Sequence, residues 1–374
     1  MAFYQHIYEV DVSDLSSIKN LFSKIFTFYL QLFFSLTLFV NMFVFTQHIF
    51  TKTMDFIDTI LISIGIKSKA FDENPDSVVL LNKEEQHYLD VLEKVLKEGT
   101  AEKGRNGNTI SIFGESLRFS LKDGVIPILT TKKVAWKTCL KELLWFISGQ
   151  TDTQLLKDQN VHIWDDNTTR EFLDSRGLKD LKEGLIGPGY GYQWRFFNSP
   201  YNKQSGEPFS ETNGVDQLQQ IIDQLKDPEK RTSRRLIMTA WNPVQVDQMA
   251  LPPCHILAQF NVHDGNKLSC ALYQRSCDFP VGSPFNITSY SFLTHLLAKH
   301  CGLEAHEFIY FMGNVHIYEE HISAVEEQLS RVPTDMFPTL EIKEKKDNIS
   351  DYVVDDFVVS NYKSQSAIKM KMVA

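Results

Sequence analysis

The chain has 374 residues, 43% of them hydrophobic and 23% charged, with a formal net charge of −9. This composition supplies enough apolar material for a large core and excludes an intrinsically disordered chain. The acidic balance removes any general basic field, which argues against non-specific nucleic-acid binding while leaving a local anion site open.

Residues 1–80 differ from the rest of the chain. From Ile25 to Thr51 there is no Asp, Glu, Lys or Arg, and residues 25–46 form an apolar run long enough to cross a bilayer as one helix. Lys19 and Lys24 flank one side and Lys52 the other, so the charge rule gives no orientation. The run starts late and no small-residue cleavage site comes after it, which disfavours a secretory signal. Two readings stand: a membrane anchor through 25–46, or translation beginning at Met54, which deletes the segment. Residues 71–81 read as a linker into a catalytic domain spanning 81–374.

Residues 86–98 carry apolar side chains at Tyr88, Leu89, Val91, Leu92, Val95 and Leu96, the spacing of an amphipathic helix that Gly99 ends. Arg105-Asn106-Gly107-Asn108-Thr109 then forms a glycine turn before a strand at Ile110–Phe113. A guanidinium on such a turn suits a phosphate. Trp136, Leu140, Leu143 and Ile147 share one helical face, with Gly149 as a stop. Glu142 lies on the flank of that face, where apolar surroundings raise a carboxyl pKa towards the range useful for proton transfer. The polar stretch 197–213 reads as a surface insertion. A short helix over 217–225 and a strand over 236–241 come next, with Arg234 and Arg235 between them. Residues 287–301 are apolar nearly all round and predict a buried central helix.

The most informative stretch is Leu251-Pro252-Pro253-Cys254-His255. Two prolines stiffen the approach to the thiol and remove two backbone donors. Two β-rich runs around Asp264-Gly265 predict an antiparallel hairpin over 255–278. A two-residue loop sets Cys254 opposite Arg275, and a three-residue loop ending at Asn266 sets it opposite Ser276. Either register puts a guanidinium and a hydroxyl beside the thiol, and a neighbouring cation favours the nucleophilic thiolate. The five cysteines, at 139, 254, 270, 277 and 301, contain no Cys-x-x-Cys spacing. They predict free thiols in a reducing, cytoplasmic compartment, without structural zinc.

Leu251-Pro252-Pro253-Cys254-His255, Tyr273-Gln274-Arg275-Ser276-Cys277-Asp278 and Gly282-Ser283-Pro284-Phe285-Asn286 closely resemble the thymidylate synthase family, from about Gln86 to the C-terminus. The resemblance implies an α/β (α+β) fold with a large mixed β-sheet flanked by helices, the sheets of two subunits packed back to back in a homodimer. It also implies reductive methylation of dUMP by 5,10-methylenetetrahydrofolate, giving dTMP and dihydrofolate. Cys254 then adds to C6 of the pyrimidine, Arg275 favours its anion and also reaches the phosphate, and Asn286 supports the enolate at O4. Glu142, in Lys141-Glu142-Leu143-Leu144-Trp145-Phe146, manages the C5 proton with Tyr190 of Gly187-Pro188-Gly189-Tyr190-Gly191.

By the same resemblance Arg105 belongs to a phosphate loop, one residue shorter here than usual, and Arg234 and Arg235 reach the phosphate of the partner subunit's site. His255, Gln274, Ser276, His316 and Tyr318 complete the nucleotide contacts, the last two on the deoxyribose hydroxyl. Trp164, Asn167, Leu251, Asp278, Gly282 and Ala374 hold folate, with Asp278 also counted among the catalytic groups. Gly189 stands where relatives carry a branched residue. Hydride comes from folate itself, so no metal and no NAD are expected, and no dinucleotide fingerprint occurs. In some organisms the family is fused behind dihydrofolate reductase, for which the region before Gln86 is too short. Two other readings are a deoxycytidylate hydroxymethylase, disfavoured by the amide of Asn286 where cytosine favours a carboxylate, and an inactive homologue serving as a binding module.

Overall fold

The computed structural model describes residues 82–104, 107–209 and 214–373, all within one compact unit spanning Leu80–Ala374. The expected membrane anchor at 25–46, the linker, Arg105 and Ala374 lie outside the described residues. Among the described residues no helix is long and apolar enough to cross a membrane.

Helix α1 spans Lys83–Glu98, three residues earlier than the apolar spacing predicts. Asn82 caps it by accepting from the amides of Glu84 and Glu85, each at 3.2 Å, which satisfies two of the donors a helix start leaves unpaired. The early turn escapes hydropathy because Glu85 is buried. Its carboxylate accepts four hydrogen bonds of 2.7–2.8 Å from the amides and hydroxyls of Thr130 and Thr131.

Strands β1 (Thr100–Gly104), β2 (Gly107–Ser120), β3 (Ile237–Thr239), β4 (His255–His263), β5 (Lys267–Asp278) and β6 (Glu304–Tyr318) form a mixed sheet in the order β1-β2-β6-β5-β4-β3. Only β5 and β6 run parallel, and a parallel pair needs a crossover. Helix α3 (Gly282–Cys301) supplies it, with 16 of its 20 residues buried. Two of its buried hydroxyls are tied inward, Ser291 donating to the Ile287 carbonyl and Thr294 to that of Tyr290, both at 2.7 Å, so these two cost little to bury. Helix α2 (Trp136–Ile147) packs across it, with the Trp136 and Phe292 rings 6.1 Å apart. A two-stranded sheet of β7 (Thr339–Ile342) and β8 (Phe357–Ser360) lies apart.

The expected strand over 236–241 shortens to the three residues of β3. The insertion over 197–213 is pinned where it is described: Tyr201 is buried in a small second core with Leu173, Leu181, Leu185 and Tyr192. One face of the large sheet supports the main core. The other carries the cross-strand row Phe311, Tyr273 and Leu257. Phe311, Tyr273 and Ile237 remain 45%, 39% and 42% exposed, more apolar surface than a strand face left in water needs.

Glu85→Ala should lower the unfolding free energy by about 3 kcal/mol, because it orphans four buried donors at once. A urea titration checks this, with a shifted midpoint at unchanged slope as the expected result.

Candidate active site

Cys254 sits just before β4, and the β4–β5 register decides its neighbours. From His263–Lys267 to Leu257–Tyr273 the strands keep the three-residue-loop register. A bulge at Ile256 then shifts the pairing by one, so that His255 meets Gln274 and the Arg275 amide donates to the Cys254 carbonyl at 2.9 Å. Each predicted register therefore holds over part of the hairpin. The carbonyl of Ile256 turns to β3, accepting from the Ala240 amide at 2.9 Å and the Thr239 hydroxyl at 3.0 Å.

The Arg275 guanidinium is held from several sides. Nε donates to the Pro253 carbonyl at 2.8 Å and Nη2 to that of Pro252 at 2.9 Å, with Nη2 4.0 Å from Cys254 Sγ. Its plane lies over the Trp241 ring, 5.5 Å from the centroid, a cation–π contact. Arg275 does draw the thiol pKa down, as expected. Burial outweighs it, however, and with Asp278 nearby it holds the Cys254 thiol above its ordinary value.

Tyr190 reaches the same point from another element. Its hydroxyl accepts from the Cys254 amide at 3.0 Å. The residue has φ 41° and ψ −103°, a backbone state that non-glycine residues avoid. Flanking glycines make the approach feasible: a Cβ on Gly187 would lie 2.2 Å from the Gln248 carbonyl oxygen, and one on Gly191 2.3 Å from that of Phe146. Gly189 has ordinary room, its nearest neighbour 3.5 Å away.

Behind this loop three buried amides interlock. Gln193 Nε2 donates to the Pro188 carbonyl at 2.7 Å and to Gln245 Oε1 at 2.8 Å. Asn242 Nδ2 donates to Gln193 Oε1 at 3.2 Å and to Gln245 Oε1 at 3.0 Å. Gln245 Nε2 reaches the Ser199 carbonyl at 2.7 Å.

Glu142 accepts from Trp164 Nε1 at 2.7 Å, and burial raises its pKa to about 7 despite that bond. The Trp164 and Tyr190 rings meet edge-on at 5.8 Å, and Phe146 stacks on Tyr190 at 5.0 Å. His255 lies 4.3 Å from the Tyr190 ring. Its Nδ1 pairs with the Tyr290 hydroxyl at 2.9 Å, and burial drives its pKa down to about 3, so the ring is neutral. Asp278 is raised by burial to about 7, with Lys132 opposing. Lys132 itself is lowered to about 8 by burial and donates to the Pro280 carbonyl. Gly282, Asp278 and Asn286 adjoin: a Cβ on Gly282 would lie 3.8 Å from Asp278 Cβ and 4.0 Å from Asn286 Oδ1. Leu251 packs against the main core.

Nine buried side-chain polar atoms have no hydrogen-bond partner among the described residues, and three of them stand at this site: Asn167 Nδ2, Gln274 Oε1 and Asp278 Oδ1. A buried orphan costs free energy unless a ligand satisfies it, and all three belong to residues the sequence assigns to ligand contact. His316 and Tyr318 stand together at the end of β6, their rings 5.3 Å apart. Ser276 pairs with Asn314 across β5 and β6. Arg234 and Arg235 are not part of this cluster. Both are exposed, and the β3–β4 register sets Arg235 level with Asn261, seven residues from Cys254. That is roughly 20 Å of strand. Sequence reasoning missed Trp241, Tyr290, Lys132 and the amide knot. Lys132 comes after an apolar run and two threonines, the one signal that it is buried. Among the described residues no cluster of three His, Cys, Asp or Glu side chains is placed to hold a metal ion.

Residues 86–374 match the family model described as thymidylate synthase. The chain belongs to the thymidylate synthase family. It is similar to the thymidylate synthases of Saccharomyces cerevisiae, 46% identical over 78% of this chain and 97% of the yeast protein, and of Ascaris suum, 45% identical over 78% and 98%. It is also 48% identical to the bifunctional dihydrofolate reductase-thymidylate synthase of Leishmania major, over 78% of this chain and 55% of that protein. The chain thus spans about half the length of the bifunctional relatives it matches. The mixed sheet flanked by helices is the architecture that the thymidylate synthase resemblance implies.

Because Glu142 has a folded pKa near 7 against 4.5 for an ordinary carboxyl, the protonated form is favoured on folding. Its contribution to stability is fully present below pH 4.5 and is lost as pH rises through about 7. Glu142→Gln should therefore gain stability over the parent by about 3 kcal/mol between about pH 5 and pH 8. Denaturant midpoints across that range check it, and parallel curves would contradict the assignment.

Proposed function

We propose that the chain catalyses reductive methylation of dUMP to dTMP with 5,10-methylenetetrahydrofolate, the reaction of its family. The observation that carries this reading is the convergence on Cys254 of Arg275, Tyr190 and, behind Tyr190, a carboxyl that titrates near neutrality. A pyrimidine C5 is a poor nucleophile, and adding a thiolate at C6 turns the ring into an enolate. Cys254 forms that bond once its proton is lost, and the adjacent guanidinium offsets part of the burial cost of the anion. Asn286, near the start of α3, donates its amide hydrogen to the enolate oxygen, and this amide favours uracil over cytosine. Glu142 and Tyr190 move the C5 proton, one because its pKa matches the working pH, the other because its hydroxyl stands at the Cys254 amide.

Trp164 offers a flat apolar face for a pterin, and the orphaned atoms of Asn167 and Asp278 suit its polar edge. Bound there, methylenetetrahydrofolate supplies the one-carbon unit and the hydride. Leu251 and Gly282 line the same side, with the tail around Ala374 closing over it. His255, Gln274, Ser276, His316 and Tyr318 hold the nucleotide, with Arg105 and Arg275 on its phosphate.

The active form is a homodimer in which Arg234 and Arg235 serve the partner subunit's phosphate site. Two observations support this. The pair lies too far along β3 and β4 for its own Cys254, and the sheet face bearing Phe311, Tyr273 and Ile237 has the apolar character of an obligate interface.

Purified protein given dUMP and methylenetetrahydrofolate should form dihydrofolate, and Cys254→Ser should abolish turnover while leaving dUMP binding within about threefold, since a hydroxyl is too weakly acidic to add at C6. Turnover by the serine variant near the parent rate would remove Cys254 from the mechanism.

Arg235→Glu and Cys254→Ser subunits should each be inactive alone. Mixed with full exchange, they form heterodimers in which one site has both groups intact, so activity should return to about a quarter of the parent value per site. No recovery after verified exchange would mean that the arginines act within their own chain.

A further inference from the structure

His316 and Asn314 are two residues apart on β6, so their side chains share one face of the strand. The His316 Nδ1 pairs with Asn314 Oδ1 at 2.8 Å. The backbone carbonyl of Asn314 also turns towards the imidazole, and a carbonyl can only accept. The Nδ1 position therefore carries a hydrogen, and in a neutral ring Nε2 is then a bare lone pair. Nε2 makes no hydrogen bond within the described residues, although His316 is largely buried. The surroundings keep the ring neutral. Burial pushes its pKa down to about 4, against Glu102 of β1, which favours the cation. Its register partners are neutral Ser111 on β2 and Asp278 on β5. The Asp278 carboxyl itself titrates only near 7. Tyr318, on the same strand, sets its ring at 88° to the imidazole.

We infer that Asn314 is a positioning residue that fixes the tautomer of His316, so that the site reads the sugar 3′-hydroxyl of its nucleotide as a hydrogen-bond donor. This rests on the dUMP reading: a 2′-deoxynucleoside 5′-monophosphate has one free sugar hydroxyl, and a bare Nε2 is satisfied only by a donor. A nucleotide with an acceptor at that carbon meets a lone pair with a lone pair, and one with hydrogen there leaves Nε2 unsatisfied. Asn314 thus acts on substrate choice through His316.

The test compares dUMP with 2′,3′-dideoxyuridine monophosphate and its 3′-fluoro analogue, the latter an acceptor without a donor. The parent protein should bind dUMP at least about tenfold more tightly than either, and the fluoro compound no better than the dideoxy one between about pH 6 and pH 8. In Asn314→Asp a carboxylate beside Nδ1 favours the imidazolium, whose Nε2–H donates. The fluoro compound should then gain about threefold on the dideoxy one as pH falls across that range. Nitrogen-15 spectra of the parent, with the His316 signals identified by their loss in His316→Gln, should show the proton on Nδ1 and serve equally if Asn314→Asp does not fold. A proton on Nε2, equal binding of dUMP and the fluoro analogue, or an Asn314→Asp profile matching the parent would overturn the inference while leaving dUMP turnover intact. Absence of dUMP turnover and binding would overturn the functional reading, and this inference with it.

Discussion

The bulge at Ile256 is the constraint on which the site depends. A regular β4–β5 ladder would carry the turn's register through to its open end and set Cys254 opposite Ser276. One extra residue moves Arg275 into that place, and the displaced Ile256 carbonyl is taken up by β3. The two prolines before Cys254 fit the same purpose. Lacking amide hydrogens, they bring carbonyls without competing donors, and the guanidinium claims both. Bulges cost ladder hydrogen bonds and recur where a strand must re-aim a side chain.

Low dielectric decides the protonation of nearly every group around that point. Burial raises Cys254, Glu142 and Asp278 and lowers His255, His316 and Lys132. In each case the neutral form is the one favoured. The charged partners, Arg275 for the thiol and Lys132 for Asp278, offset part of this without reversing it. Near neutral pH Glu142 and Asp278 are therefore poised between their two forms, while burial works against ionisation of the Cys254 thiol. The arginine's value lies in being in place when the anion forms, with its own reorganisation already complete.

Much of this was legible in the residues. Apolar spacing located α2 and the buried crossover helix, and the hairpin pattern around Asp264-Gly265 placed a guanidinium beside Cys254, where Arg275 stands. What stayed hidden has physical causes. The first turn of α1 reads as surface because Glu85 is charged, and nothing local says that two threonines some 45 residues on will receive it. The bulge is silent because Ile256 is apolar in either register. The roles of Trp241 and Tyr290 depend on which rings meet in space, which one chain position does not reveal. Nothing local to the paired arginines says which site they serve, and it is the strand register that separates them from their own Cys254.

The knot of Gln193, Asn242 and Gln245 has a consequence for how the protein responds to its medium. It joins the Tyr190 loop, the segment at Ser199 and the turn at Asn242 through amides that carry no charge and do not titrate. Ionic strength screens charges and leaves such bonds nearly untouched. Acid or salt will therefore alter the ionisable groups around Cys254 before it alters this knot. A loss of activity under those conditions then reports the ionisable groups rather than this knot.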